Sequence, residues 1–184
     1  MFIKTKRLTL KPYSDDDKAA LIALLTDEVI KKTFVIPELR TEDEKTRIFE
    51  KLKAYSLSDG HYEAGIYLRD KLIGFINDVE ITGNEIELGY VIAPEYQNRG
   101  YASEALSGAI ADLFQRGFGE IIAGAFEDNA VSIKVMQNCG LNKLDRESEM
   151  ECKGKIRRLR LLFYKKGSIR RTIPGGLCEL LSSR

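Results

Sequence analysis

The sequence is poor in the residues that build metal centres and histidine-based catalysts. Among 184 residues there is one histidine, His61, and there are three cysteines, Cys139, Cys152 and Cys178. A single histidine argues against a His-based triad and against a His-rich metal site. It falls in the loop Ser58-Asp59-Gly60-His61, where a solvated side chain is expected. The cysteines are odd in number, scattered and without metal-ligand spacing, so they read as reduced thiols, and no metal is expected. No apolar run is long enough to cross a bilayer. The stretch from Met1 to Pro12 lacks the apolar core of a signal peptide, which gives a cytoplasmic expectation and no membrane partner. Net charge is +1, so the basic excess of a nucleic-acid binder is missing as well. What remains is an ordinary globular balance, 43% hydrophobic and 31% charged, in a chain long enough for one well-cored domain.

The most informative stretch is Glu85 to Phe118. Ile86, Leu88, Tyr90 and Ile92 alternate with Glu85, Glu87, Gly89 and Val91, the period of a half-buried strand. Pro94 stops that strand. Apolar residues then fall at Ala102, Ala105, Leu106, Ala109, Ile110, Leu113 and Phe114, one face of an amphipathic helix that Gly117 and Gly119 end. Between strand and helix lies Gln97-Asn98-Arg99-Gly100-Tyr101-Ala102. A helix N-terminus offers unpaired amides and partial positive charge. Gly100 admits close approach of a ligand, Ala102 keeps the first turn small, and Arg99 adds a full charge. Such a loop suits a phosphate or diphosphate; it also serves as a plain strand-to-helix connection.

Gln97-x-x-Gly100-x-Ala102 resembles the acetyl-CoA loop of the GNAT acyltransferases, whose pattern is Gln/Arg-x-x-Gly-x-Gly/Ala. The flanking Glu87-Leu88-Gly89-Tyr90-Val91-Ile92-x-Pro94-Glu95, the run Ala102-Ser103-Glu104-Ala105 and the later Asn129-x-x-Ser132 are similar to the branch holding the RimJ and RimL ribosomal-protein N-acetyltransferases. Other phosphate motifs fit badly: no P-loop pattern is present, and the loop lacks the glycines of a dinucleotide fingerprint.

The remaining chain supplies the order of elements. Ile3 to Lys11 reads as a first strand, ended by Pro12. Ser14-x-x-Asp17 starts a helix carrying Ala20, Leu21, Leu24 and Leu25 to about Thr26. Phe34, Val35 and Ile36 before Pro37 read as a loop over the site. Thr41-x-x-Glu44 is a capping box for a second helix with Ile48, Phe49, Leu52 and Tyr55 on its face. Strands are expected over Tyr62–Leu68, Leu72–Ile81, Glu120–Phe126, Leu144–Glu151 and Ile156–Tyr164, with turns at Gly83-Asn84 and Lys153-Gly154 and a short helix over Ala130–Asn138. The fold class is therefore mixed α/β: a mostly antiparallel sheet of about seven strands with helices on both faces. That order matches the GNAT fold, in which the central strand and the strand near Glu120 splay apart around the acyl thioester. The resemblance implies an acetyltransferase domain over residues 1–166. Residues 167–184 lose the pattern at Pro174-Gly175-Gly176 and read as a disordered extension, or as a partner-binding segment.

Acetyl transfer to an amine needs a proton removed, a carbonyl polarised and a thiolate released. Deprotonating a lysine-like amine at pH 7 costs roughly 4 to 5 kcal/mol, and a peptide α-amine only about 1 kcal/mol. Glu87, opposite in face to Leu88 and Tyr90, is the candidate base, as an acidic residue at this strand position often is in the resembled family, commonly through water. Asp78 is a reserve; Glu80 and Glu85 fit less well. Asn129 and Ser132 are both good helix caps. The resemblance implies more: an Asn129 contact to the pantetheine arm, and a Ser132 hydroxyl that protonates the departing thiolate. Many relatives carry a tyrosine in this helix where Met136 stands near. Val91 and Ile92 would pair their backbones with pantetheine amides, with a backbone amide near Val91 polarising the carbonyl. Arg99 and Lys134 would meet CoA phosphates, or stay solvated. The resemblance thus implies acetyl-CoA as co-substrate and an amine acceptor. That acceptor is a protein N-terminus, or a polyamine, aminoglycoside or amino acid. A catalytically silent acyl-CoA-binding module is the other reading, and monomer and homodimer both remain open.

Overall fold

The computed structural model describes residues 1–152 and 155–165, with side-chain packing described through residue 143. The turn expected at Lys153-Gly154, and the tail from residue 166 on, lie outside the described residues. So do the surroundings of Cys152 and Cys178.

One eight-stranded sheet runs through the molecule in the order β1-β2-β3-β4-β5-β6-β8-β7. Its strands are β1 (Ile3–Lys4), β2 (Leu8–Lys11), β3 (Ala64–Leu68), β4 (Lys71–Thr82), β5 (Glu85–Ile92), β6 (Glu120–Phe126), β7 (Asn142–Cys152) and β8 (Lys155–Lys165). All neighbours are antiparallel except β5 and β6. The expected first strand is in fact two. Thr5 and Leu8 exchange bonds, the Thr5 amide donating to the Leu8 carbonyl at 2.9 Å and the Leu8 amide to Thr5 Oγ1 at 3.0 Å. A threonine that satisfies the backbone locally competes with the ladder, and here it turns the chain over Thr5–Arg7.

The helices are α1 (Lys18–Thr26), α2 (Ile30–Thr33), α3 (Glu42–Leu57), α4 (Tyr101–Gln115) and α5 (Ala130–Asn138). The capping box at Thr41 forms as its spacing predicts: Glu44 N–H donates to Thr41 Oγ1, and Glu44 Oε2 accepts from the Thr41 amide. α2 is one turn started by Asp27, whose Oδ1 accepts from the amides of Val29 and Ile30. α4 ends where Gly117 takes φ 101°, with the Phe118 amide donating to Leu113 and the Gly117 amide to Phe114. That is a Schellman end, and a β-carbon would resist it.

Two cores hold the layers. Ile86, Leu88 and Ile92 of β5 pack with Leu106, Ala109 and Leu113 of α4 and Met136 of α5 on one face. Val91 of β5 and Phe75 of β4 pack with Leu21, Leu24, Leu25, Ile30 and Phe49 of α1–α3 on the other. Burying a side chain of this size is worth roughly 1.5–3 kcal/mol, so both faces of β5 are fixed by packing and its polar groups have defined sides.

Candidate active site

β5 and β6 are paired only from Glu85↔Glu120 to Leu88↔Ala123. β5 continues to Ile92 and β6 to Phe126 without another rung between them. A gap opens there, at the end where β5 feeds the loop to α4. Its β5 side can be read from the ladder to β4. Ala93 N–H donates to the Ile73 carbonyl at 2.8 Å, and Gly74↔Ile92 and Phe75↔Val91 follow. Antiparallel pairs alternate between bonded and unbonded. The backbone groups of Gly89 and Val91 therefore turn to β4, and those of Tyr90 and Ile92 turn to the gap. The Ile92 carbonyl confirms this by accepting from Gln97 Nε2 at 2.9 Å. The main-chain groups on the gap side are thus those of Tyr90 and Ile92, the Ile92 carbonyl being taken by Gln97, and not those of Val91 as expected. Val91 instead buries its side chain beneath α1–α3.

After Ile92 the chain makes a short 3-10 turn at Pro94–Tyr96 and then the loop. Asn98 at φ 59° and Gly100 at φ 76° are both left-handed, which asparagine tolerates and glycine adopts freely. No side chain caps α4, so its first-turn amides keep their donors for another acceptor. The opposite wall is α5. Asn129 Oδ1 accepts from the Ser132 amide at 3.1 Å, which is a helix cap. Tyr90 Oη donates to the Ser132 carbonyl at 3.1 Å. Burial pushes the Tyr90 phenol well above its ordinary value, so it stays protonated.

These walls enclose a cavity of about 270 Å³. Of the residues expected in the site, Val91, Ile92, Gln97, Asn98, Gly100, Tyr101, Ala102, Asn129 and Ser132 line it. Glu87, Arg99 and Lys134 do not. Arg99 and Lys134 are exposed. Glu87 is half-buried and lies two residues before Gly89 on the same face, a step of roughly 7 Å along a strand, which a water could span. Met136 is fully buried and belongs to the core.

Phe34 closes the α1–α3 side, as the loop over the site was expected to do. Its ring meets Phe75 edge-on at 5.5 Å, while Val35 points to solvent. Beneath Phe34 lies Gly89, opposite Asn77 of β4. A β-carbon on Gly89 would stand 2.9 Å from both the Phe34 ring and Asn77 Oδ1. Asn77 Nδ2 donates to the Asp78 carbonyl at 2.9 Å, which fixes the amide's orientation. Its Oδ1 is buried with no hydrogen-bond partner among the described residues. Among the described residues it is the one buried side-chain polar atom without a partner, and it sits opposite Gly89 of β5.

The reserve base is engaged elsewhere. Asp78 accepts from the Tyr62 amide at 2.6 Å and pairs with His61 Nδ1 at 3.2 Å. His61 is not the solvated loop residue expected, since its ring stacks on Tyr55 at 3.7 Å. Near them Glu63 is buried, with Tyr13 Oη donating to its carboxylate. Desolvation pushes Glu63 up to about 8, against the lowering effect of the Tyr13 bond, and nearby Asp78 adds to the rise.

Comparison with known proteins agrees with this geometry. A family model described as an acetyltransferase (GNAT) domain matches residues 7–142. The chain is 33% identical over 152 residues to the uncharacterized N-acetyltransferase YnaD of Bacillus subtilis (strain 168), covering 78% of this chain and 84% of YnaD. Its fold is similar to that of Mycobacterium smegmatis RimJ in complex with CoA-disulfide, with TM-score 0.81, 17% identity and coverage of 94% and 90%. It is also similar to that of the Vibrio cholerae spermidine N-acetyltransferase in complex with CoA and spermine, with TM-score 0.74, 18% identity and coverage of 86% and 95%. The splayed strands, the uncapped helix end and these matches have one source: the chain belongs to the GNAT family of acetyltransferases.

Proposed function

We propose that the protein transfers acetyl from acetyl-CoA to a primary amine, with a free peptide or protein N-terminus as acceptor. The observation that carries this reading is the gap beyond Leu88↔Ala123, which ends at a helix with open amides. The loop from Gln97 to Ala102 would hold the diphosphate, and the gap-facing groups of Tyr90 and Ile92 the pantetheine amides. Solved relatives were obtained with CoA bound, which supports the same co-substrate.

In this reading the amine enters under Phe34, on the face of β5 that carries Glu87 and Gly89. Asn77 Oδ1 accepts one of its N–H groups. Glu87 takes the ammonium proton through water, and the freed nitrogen attacks the thioester carbon. An N–C bond forms and the C–S bond breaks; the nitrogen gives up its second proton, which passes through water and the Ser132 hydroxyl to the departing thiolate, so the serine ends as it began. A thiol of pKa near 8.5 leaves without a strong acid.

The lower cost of deprotonating an α-amine at pH 7, about 1 kcal/mol against roughly 4 to 5 kcal/mol for a lysine-like amine, supports an α-amine as the acceptor. A screen of peptides with free N-termini against polyamines and aminoglycosides, read by thiol release from acetyl-CoA, tests the proposal. Turnover with peptides supports it. Turnover only with polyamines replaces the acceptor. CoA binding with no turnover on any amine leaves the silent module.

A further inference from the structure

We infer that Arg7, outside the cavity, is a positioning residue for the diphosphate loop; the inference rests on the acetyl-CoA reading of that loop. The N-terminal turn reaches across almost a hundred residues to grip it. Glu104, in the first turn of α4, accepts from Thr5 Oγ1, from the Arg7 amide and from Arg7 Nε, each at 2.6 Å. The same guanidinium donates through Nη1 to the Arg99 carbonyl at 3.0 Å and lies 4.5 Å from the centre of the Tyr101 ring. Its Nη2 would stand 3.4 Å from a β-carbon on Gly100. One side chain thus touches Arg99 and Tyr101 of the loop and Glu104 of the helix that follows it, and borders the open side of Gly100.

Two consequences follow for an anion in the loop. The Arg99 carbonyl and the Gly100 N–H belong to one rigid trans peptide and point opposite ways. Holding the carbonyl against Arg7, on the outside, presents the Gly100 amide to the cavity that Gly100 lines. The second consequence is electrostatic. A carboxylate in the first turn of α4 would repel a diphosphate bound at the same helix end. Burial by itself would raise the Glu104 pKa, but the bonds from Thr5 and Arg7 outweigh it and leave the carboxyl below its usual range, hence ionised. Arg7 neutralises that charge and turns it to the N-terminal side. The left-handed Asn98 and Gly100 add a reason for an external brace, since such conformers persist where their surroundings hold them.

The test compares full-length wild type with Arg7→Ala and Arg7→Lys. Calorimetry with CoA should show about tenfold weaker binding in Arg7→Ala, the effect of losing a charged hydrogen bond. Arg7→Lys keeps a cation beside Glu104 but has no second donor arm for the Arg99 carbonyl, so its Kd should fall between the two. With the amine found by the screen, KM for acetyl-CoA should rise and kcat should hold. Hydrogen exchange of the free protein should quicken at amides 98–101 and stay unchanged in β4 and β5. Wild-type Kd in both variants, or unchanged loop exchange, overturns the inference. Should Arg7→Ala fail to fold, Arg7→Lys carries the same readings, and wild-type values there overturn it. Failure of wild type itself to bind CoA defeats the acetyl-CoA reading instead, a distinct outcome.

Discussion

Tyr90 Oη donates to the backbone carbonyl of Ser132 at 3.1 Å, tying the open end of the central strand to the first turn of α5. The bond joins two walls of the cavity in which the thioester is proposed to lie. It also separates two roles that this turn could play. Ser132 contributes its carbonyl to Tyr90 and its amide to Asn129, and its hydroxyl is the group proposed for the acid role. Tyr90→Phe should cost about 1 kcal/mol of stability, the net worth of one hydrogen bond, and lower kcat only mildly. Ser132→Ala should leave stability and CoA affinity alone. If its hydroxyl protonates the thiolate, the chemical step should slow by roughly 10²-fold. Single-turnover kinetics of the two variants decides between them: an unchanged chemical step in Ser132→Ala removes the acid role.

Glu87→Gln should lower kcat with little change in CoA Kd, because Glu87 lies off the cavity lining, on the face of β5 proposed for the acceptor. The loss should be larger for a lysine-like amine than for an α-amine, since the first costs roughly 4 to 5 kcal/mol to deprotonate at pH 7 and the second about 1 kcal/mol. It should shrink as pH rises towards the amine's own pKa. A pH profile of kcat from 6 to 9 that overlays wild type would rule out Glu87 as base.

Glu63 gives the fold a pH dependence of its own. Its ordinary value is 4.5 and burial raises it to about 8. Below 4.5 the carboxyl is protonated in the folded and unfolded chains, and its contribution is fully present. Between 4.5 and about 8 the folded chain keeps a proton that the unfolded chain has lost. Stability therefore falls as pH rises through that window and levels off above it. At about 1.4 kcal/mol per unit the ceiling is a few kcal/mol. Glu63→Gln keeps an acceptor for Tyr13 Oη and cannot ionise, so its urea midpoint should change less between pH 5.5 and 8.5 than that of wild type. Parallel slopes would show that Glu63 does not titrate in that range.

What the sequence made legible was local. The Thr41–Glu44 box lies within one turn, and the alternation of Glu85–Ile92 and the helical face of α4 are set by nearest neighbours. What stayed hidden depends on partners far along the chain. Ile3–Lys11 carries a strand-like pattern throughout, yet Glu104 gathers Thr5 and Arg7 from about a hundred residues away and the strand breaks. Asn77 faces Gly89 only because of a bulge at Val79. The hairpin pairs Thr82↔Glu85 and Glu80↔Glu87, then Asp78↔Leu88, so the register slips by one and Asn77 moves from Tyr90 to Gly89. His61 read as solvated because nothing in its loop announces Tyr55 or Asp78. The backbone roles of Tyr90 and Val91 turn on which ladder edge each faces, and a pattern of side chains does not record that.

The slipped register supplies the last test. Gly89 leaves space that Asn77 Oδ1 and the Phe34 ring border at 2.9 Å from where a β-carbon would sit. Real β-carbons avoid that distance, so Gly89→Ala must push a neighbour. Phe34 ends a four-residue helix and is half-buried, whereas Asn77 is held by Asp78. Phe34 should therefore give way, and the methyl should take the room proposed for the amine. Overpacking of this kind costs roughly 1–3 kcal/mol of stability. Its kinetic mark should be a raised KM for the acceptor at unchanged Kd for CoA, because the diphosphate loop and the gap-facing groups of Tyr90 and Ile92 lie elsewhere. Asn77→Leu removes the orphaned oxygen while keeping bulk, and should raise the same KM without the steric cost. An acceptor KM unmoved by both changes would place the amine on another face of β5.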